Sequence, residues 1–391
     1  MEITDKPLRI LLVFDLPLDP RLGASRIWVE LAEQWRAAGH AVEIYCLSDA
    51  FPNPATSVPW SVLRRILFAY KAARFVRKNA LHFDIISALL GSLPFSKAQL
   101  HFKGLLVAQS VGLPLLYERF HQFARKRWPH RPKGKLSGRV FYSLARKRLL
   151  RAAEKSLRRC DLINLLNHDE LDCVRAEISP SKPAIVQPNG LAPECHRALS
   201  VIASAVEDRW RARKISFIGM WSERKGSNDW GEIVRRVRQQ EPAARFLFLG
   251  TMTAEQTVLD DLNLVRCEWV EIIPEYDPDQ LPQLLADCTV GAFPSYIEGF
   301  GLAVLEQLAA GIPTVAYDAP GPREMLRNTL SELLVPPGDV EAFAQVVSRI
   351  LRSDLDEYSA LSRRSVEITS RFLWPAIAKD TLLHYRRFLG S

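Results

Sequence analysis

Apolar residues recur along this chain in short runs separated by amphipathic stretches. Leu8 to Phe14 is a near-continuous apolar run followed by Pro17 and Pro20, the pattern of a strand buried on both faces of a parallel sheet. Ser25 to Ala38 carries Ile27, Leu31, Ala32 and Trp35 at helical spacing, Gly39-His40 ends that helix, and Ala41 to Leu47 predicts the next strand. Phe83 to Leu89 and Asp161 to Leu166 repeat the strand pattern.

A second series opens at Lys214 to Gly219. It continues with a helix from about Asp229 to Gln240 and a strand at Ala244 to Gly250. A helix at Asp279 to Ala286, a strand at Thr289 to Phe293, a helix around Leu302 to Ala310 and a strand at Thr314 to Tyr317 follow. Alternating strands and helices predict doubly wound α/β architecture. The series restarts after the charged stretch Glu207 to Arg211, so the expected boundary lies near residues 198 to 213. The expected domains are 1–198, with a basic insert, and 213–372, with a closing helix over 373–391 that packs back across the boundary. Two such domains facing each other would place a cleft at the carboxyl ends of both sets of strands.

Composition narrows the class. The 391 residues suggest two or three domains at roughly 150 residues each. With 48% hydrophobic and 25% charged residues, the chain is neither disordered nor fibrous, and no apolar run approaches the length of a membrane span. The chain begins Met1-Glu2-Ile3-Thr4-Asp5, with acids where a signal peptide would carry positive charge. Its six cysteines are scattered with no Cys-x-x-Cys pair, so free thiols and a cytoplasmic location are expected.

The formal net charge of +8 is unevenly distributed. Residues 119–159 hold fifteen Lys or Arg and the single acid Glu154, so the remainder of the chain is net acidic. A second basic stretch, acid-free from Phe51 to His82, interleaves Arg64, Arg65, Lys71, Arg74, Arg77 and Lys78 with Leu63, Ile66, Leu67, Tyr70 and Phe75. Such spacing separates basic and apolar faces on a helix. Residues 61–78 and 119–159 are therefore expected either to meet an anionic membrane peripherally, at the inner membrane, or to form a solvated face. No nucleic-acid motif accompanies the charge, and no nucleic-acid partner is expected.

Candidate chemistry concentrates in two loops. Pro294 to Glu306 runs from the end of a strand through Glu298-Gly299-Phe300-Gly301 into a helix, and amide groups at a fresh helix N-terminus form an anion site. Glu298 and Glu306 are too far apart for a carboxylate dyad; a single carboxylate there suits sugar hydroxyls. The second loop, Gly219-Met220-Trp221-Ser222-Glu223-Arg224-Lys225-Gly226, sets two cations just past a strand's carboxyl end, where this architecture binds ligands. Cations there could compensate a departing diphosphate. Trp221 within it is a candidate for ligand stacking. Asp277-Pro278-Asp279 mimics an Asp-x-Asp metal site but directly precedes a helix, so capping is the better reading, as it is for Asp354-Leu355-Asp356.

These residues resemble a known family. Glu298-Gly-Phe-Gly with Glu306, followed by Ala310-Gly311-Ile312-Pro313, Gly321-Pro322-Arg323-Glu324 and Leu334-Val335-Pro336-Pro337-Gly338-Asp339, is similar to family 4 glycosyltransferases of the GT-B fold. Gly219, Lys225 and Gly226 fit that family's Gly-Arg-x-x-x-x-Lys-Gly signature, and Pro188-Asn189-Gly190 and Gly23-Ala24-Ser25-Arg26 resemble further segments. The match is dense over 214–340, looser over 8–50 and 160–192, and poor over 50–160.

The resemblance implies two Rossmann-like domains and retaining transfer of a sugar from a nucleotide-diphosphate sugar to a glycan or lipid-linked acceptor, with no metal and no cofactor. Lys225 would hold the donor diphosphate, beside Gly219. The amides of Phe300, Gly301 and Leu302 would cradle the phosphates. Glu298 would bind sugar hydroxyls, Glu306 the ribose, and Gly23 would let the N-terminal loop approach the phosphate. Where the family carries arginine after the first glycine this chain has Met220, and Arg224 is expected to supply that cation. Where many members carry histidine it has Val111, and His168 is a loop histidine that could approach the cleft. A nucleotide-sugar epimerase or hydrolase, and a degenerate glycan- or partner-binding protein, remain open alternatives.

Overall fold

The computed structural model describes residues 6–19, 23–129 and 136–389. The chain divides into two compact units, one made of Met1–Asn189 with Trp374–Ser391 and the other of Gly190–Leu373. That division falls upstream of residues 198–213, so the helices Pro193–Ala203 and Val206–Ala212 belong to the second unit.

The first unit is built on six parallel strands: β1 (Arg9–Phe14), β2 (Ala41–Cys46), β3 (Ile85–Leu89), β4 (Leu105–Gln109), β5 (Leu162–Leu165) and β6 (Ala184–Val186), ordered β2-β1-β3-β4-β5-β6. The runs that read as doubly buried strands are so: β3, β4 and β5 are buried at every residue. One face is covered by the helix Val58–Asn79 through Phe68, Ala72 and Val76, together with Ala153 and Leu157 of the helix Leu136–Arg159. The other is covered by Gly23–Ala37 and by the last helix, Trp374–Leu389, whose Trp374, Ile377, Leu382 and Tyr385 join the core. Trp35 Nε1 donates to the Ala378 carbonyl at 3.0 Å and Asn164 Nδ2 to the Tyr385 hydroxyl at 3.0 Å, which fixes the last helix on this sheet. The basic stretch 61–78 is helical within Val58–Asn79; 119–159 falls on Pro114–Arg127 and Leu136–Arg159, apart from 130–135, which lie outside the described residues.

The second unit has its own six parallel strands: β7 (Lys214–Ile218), β8 (Arg245–Leu249), β9 (Val270–Ile273), β10 (Cys288–Phe293), β11 (Thr314–Tyr317) and β12 (Leu334–Val335), ordered β12-β11-β10-β7-β8-β9. Counted from its first strand this is the 3-2-1-4-5-6 order of a dinucleotide-binding sheet, whose direction of winding reverses between β7 and β10. The expected strands are all present. The edge strands β6 and β12 are apolar but only three and two residues long, and β9 is interrupted by Glu271, so none of them stands out as a run.

Aromatic rings pack over the middle of this sheet: Trp230 lies edge-on to Phe248 at 4.9 Å and to Phe217 at 5.5 Å. Arg209 is fully buried and donates to the carbonyls of Ile202 (2.6 Å) and Ala310 (2.7 Å) and to Ser362 Oγ (3.1 Å). A guanidinium can be buried here because carbonyls around the end of the helix Leu302–Ala309 accept its protons.

Candidate active site

The winding reversal of the second unit is where a doubly wound sheet opens a crevice, beyond the carboxyl ends of β7 and β10. Both candidate loops emerge there. After β7, the Gly219 amide donates to the Leu249 carbonyl at 2.9 Å and the Trp221 amide to the Thr251 carbonyl at 2.8 Å, which ties the loop to the segment following β8. A short turn, Glu223–Lys225, then presents Arg224 and Lys225. After β10, the Tyr296 amide donates to the Arg224 carbonyl at 2.9 Å, so the second loop is laced to the first through backbone.

The side chains meet on one carboxylate. Lys225 Nζ lies 2.8 Å and Arg224 Nη1 2.7 Å from the same oxygen, Glu298 Oε1. Arg224 Nη1 also donates to the Ile297 carbonyl at 3.3 Å, and Lys225 Nζ sits 4.5 Å above the Phe293 ring. Lys225 and Glu298 are each only 9% exposed. Burial pulls the Lys225 ammonium below its ordinary range, and the neighbouring Glu298 charge offsets only part of that. Burial works to raise Glu298, but Lys225 and Arg224 outweigh it and hold the carboxyl below the usual carboxylate range. Two cations thus share one carboxylate oxygen, and the lysine and the carboxylate are both largely shielded from water.

Beside this cluster the helix Leu302–Ala309 begins, with Gly301 at its N-terminus in a left-handed conformation (φ +91°). The amides of Phe300, Gly301 and Leu302 donate to no backbone carbonyl of the described residues. Gly321 holds this loop from behind. A Cβ there would lie 2.6 Å from the Phe300 carbonyl oxygen, so only glycine permits the contact, and its φ of +93° is likewise glycine-favoured. The Gly321-Pro322-Arg323-Glu324 segment thus acts as a backstop for the phosphate-loop candidate.

Two residues that position the site carried little sequence signal. Asp229 Oδ2 accepts from the hydroxyls of Tyr296 (2.6 Å) and Tyr317 (2.7 Å), pinning the second loop to the helix Ser227–Gln240. Gln307, fully buried, accepts from Ser216 Oγ at 2.7 Å and donates to the Ala303 carbonyl at 3.1 Å, anchoring the Leu302–Ala309 helix on β7. A second polar residue beside Glu306 in a mostly apolar helix was the only clue to Gln307; Asp229 reads as an ordinary first-turn acid.

The other expected residues fall as follows. Glu306 is buried on the Leu302–Ala309 helix, and its charge acts on Lys225. Met220 is 55% exposed, so the second cation of this cluster comes from Arg224 rather than from the position after Gly219. Gly23 is the first residue of the helix Gly23–Ala37 in the first unit. Val111 packs against the core of that unit, and His168 is exposed at the start of His168–Glu177. Trp221 does not offer a stacking face. It packs edge-on against Phe217 (6.1 Å) and Phe248 (5.6 Å), and its Nε1 donates to Asp261 at 2.7 Å. Asp277 caps the turn Pro278–Gln280 by accepting from the Asp279 amide (3.1 Å), and Asp354 caps Leu355–Thr369 through the Glu357 amide (2.9 Å).

Residues 212–353, which hold both loops, match the sequence model of the family Glycosyl transferases group 1. A D-inositol 3-phosphate glycosyltransferase of Mycobacteroides abscessus is 28% identical over 166 residues, 41% of this chain and 37% of that protein. The chain thus spans well under half the length of this relative. The structure of sucrose-phosphate synthase from Thermosynechococcus elongatus superposes with a TM-score of 0.71 at 19% identity, covering 98% of this chain and 99% of that one. That of Anabaena HepE in complex with UDP-glucose gives 0.66 at 17% identity, covering 96% and 100%. The fold is GT-B, and residues 212–353 of the second unit are similar in sequence to group 1 glycosyl transferases.

Proposed function

We propose that this protein is a glycosyltransferase that moves a sugar, with retention, from a nucleotide-diphosphate sugar to a glycan or lipid-linked acceptor. The observation that carries the reading is the convergence of Lys225 and Arg224 on Glu298 Oε1 beside the Leu302–Ala309 N-terminus, at the winding reversal of the second sheet. One relative is a D-inositol 3-phosphate glycosyltransferase, and one structural neighbour, Anabaena HepE, is in complex with UDP-glucose, which supports a nucleotide-sugar donor.

In this reading Lys225 and Arg224 turn toward the diphosphate as the glycosidic bond breaks, and the amides of Phe300, Gly301 and Leu302 take its oxygens. Glu298 plays two parts. It holds the two cations in place, and its carboxylate accepts hydrogen bonds from the sugar hydroxyls of the donor. Glu306 receives the ribose. Lys225 and Arg224, already gathered beside Glu298, have only a short way to move to compensate the departing diphosphate, and in this reading they fill the charge-compensating role a metal would otherwise take. The acceptor hydroxyl attacks from the face the diphosphate leaves.

Thermal-shift titration with UDP, ADP, GDP and UDP-glucose tests the donor side, since a ligand that binds only the native state raises the melting temperature. A nucleotide diphosphate should stabilise the protein, and Lys225→Ala should abolish the shift. Absence of any shift overturns the reading. Incubation with donor alone separates transfer from epimerisation: a transferase leaves the sugar unchanged until an acceptor is added. Full turnover in excess chelator and an anomeric configuration conserved in the product would support metal-independent retention; the opposite results would overturn each.

A further inference from the structure

The first unit contains a cavity that the donor chemistry does not use. A groove of about 670 Å³ lies between the helices Val58–Asn79 and Leu136–Arg159 and reaches Gly91, just past the carboxyl end of β3. Its size falls in the roughly 300–1,000 Å³ range of small-molecule sites. Its charged lining is Arg65, Lys147, Arg148, Arg151, Lys155 and Arg159, with no acid among the lining residues. The rest is markedly apolar, with Tyr70, Phe95, Phe141 and Leu144 prominent. Leu144 is 62% exposed, an unusual place for a leucine inside a basic surface.

The sequence builds this pattern directly. Lys147, Arg151 and Lys155 are four residues apart on one 24-residue helix, so they stack along one face, with Leu144 a turn before them. Like charges at that spacing repel, and folding does not answer them. The other cations of the groove have partners: Arg65 with Asp15 (2.8 Å), Arg148 with the Tyr70 hydroxyl (2.9 Å), Arg159 with the Pro94 carbonyl (2.9 Å). Among the described residues no carboxylate or carbonyl pairs with Lys147, Arg151 or Lys155. A row of three unanswered cations beside exposed apolar side chains fits a ligand with a strongly anionic head and a hydrocarbon body.

We propose that this groove binds a single lipid-phosphate molecule, its phosphate or diphosphate head on Lys147, Arg151 and Lys155 and the first part of its chain along Phe141, Leu144, Tyr70 and Phe95. A free phosphosugar would leave the apolar half in water, and a flat anionic bilayer would not fill a concave groove. The lipid is the anchor of the acceptor only if the donor reading above holds; its binding does not depend on that reading.

Farnesyl phosphate, kept below its aggregation concentration, is the probe, titrated against the full-length protein beside farnesol and inorganic diphosphate. Farnesyl phosphate should bind at least tenfold tighter than either. The double variant K147E/R151E and, separately, L144D should each weaken it tenfold or more, with circular dichroism and the UDP-dependent thermal shift unchanged. Equal affinity for inorganic diphosphate, or unchanged binding in both variants, would overturn the proposal. So would phosphatidylcholine vesicles doped with phosphatidylglycerol capturing the protein as well as vesicles doped with farnesyl phosphate, which would point to surface charge alone. Loss of lipid binding with the UDP shift intact fails this inference only; loss of the UDP shift in wild type fails the donor reading only.

Discussion

Lys225 folds back across Gly219: a Cβ on the glycine would sit 3.3 Å from Lys225 Cε and 3.5 Å from its Nζ. The ammonium therefore reaches Glu298 by passing over a residue that has no side chain, at the carboxyl end of β7. The backbone there has a φ of +149°, which other residues adopt only under strain.

Gly219→Ala should accordingly cost ~1–3 kcal/mol of stability from backbone strain and displace the ammonium from Glu298. Urea unfolding gives the first quantity, and isothermal titration with UDP should show about tenfold weaker binding. Unchanged affinity would mean that Lys225 does not need this path.

Gly321→Ala acts from behind the other loop. With only 2.6 Å between the new Cβ and the Phe300 carbonyl oxygen, the backbone of Phe300 must move. Because the amides of Phe300, Gly301 and Leu302 move with it, turnover should fall by about a hundredfold, the usual scale for losing one preorganised donor. Steady-state kinetics at saturating donor check this, and a loss confined to KM would contradict it.

Removing the hydroxyl of Tyr296 leaves Asp229 Oδ2 with only Tyr317 as a phenolic donor. Tyr296→Phe should destabilise by ~1 kcal/mol, the net worth of one hydrogen bond, and loosen the loop that carries Glu298. The useful comparison is Tyr317→Phe, which removes the same kind of bond from β11 but keeps the Tyr296 hydroxyl on Asp229 and the ring that packs 5.2 Å from Tyr296. Stability should fall alike in both, whereas donor affinity should fall only in Tyr296→Phe.

Glu298→Gln tests the charge cluster. The Glu298 carboxyl is held below the ordinary range against the pull of burial, so its contribution to stability is present above the unfolded-state pKa and is lost as pH falls through the lower folded value. Thermal melts taken from neutral pH down to about 3 should show wild type losing more stability than Glu298→Gln over the acid end. Parallel curves would mean that the carboxylate is not ionised against Lys225 and Arg224.

In the first unit Glu170 gives the opposite sign. It is buried at the carboxyl ends of β4 and β5, where it accepts from Ser110 Oγ (3.1 Å) and from the amides of Leu113 (2.8 Å) and Leu166 (3.0 Å). Burial raises it to about 7. The folded state then binds more protons than the unfolded one between roughly pH 4.5 and 7, so wild-type stability should fall as pH rises through that window. Glu170→Gln should remove this slope, as followed by chemical unfolding across that pH range.

Much of this was written in the chain's local pattern. Apolar runs such as Leu8 to Phe14 and Thr314 to Tyr317 announce doubly buried strands because no other short element hides both faces, and their alternation with amphipathic helices fixes a parallel α/β architecture. Gly-Phe-Gly ahead of a helix, and Arg-Lys after a strand, are likewise local signals, since strand ends and helix starts are where backbone amides and side chains stand free. What no local pattern contained was adjacency. Trp221 looked available for a ligand until the fold placed Phe217, Phe248 and Asp261 around it. Asp229 and Gln307 looked ordinary until sheet order brought Tyr296, Tyr317 and Ser216 to them. Lys225 and Glu298 stand seventy-three residues apart, and their shared charge exists only because β7 and β10 are neighbours in the sheet. Periodicity reports how each segment hides from water; which segments then lie side by side is settled by long-range packing, and the chemistry of this site is a property of that pairing.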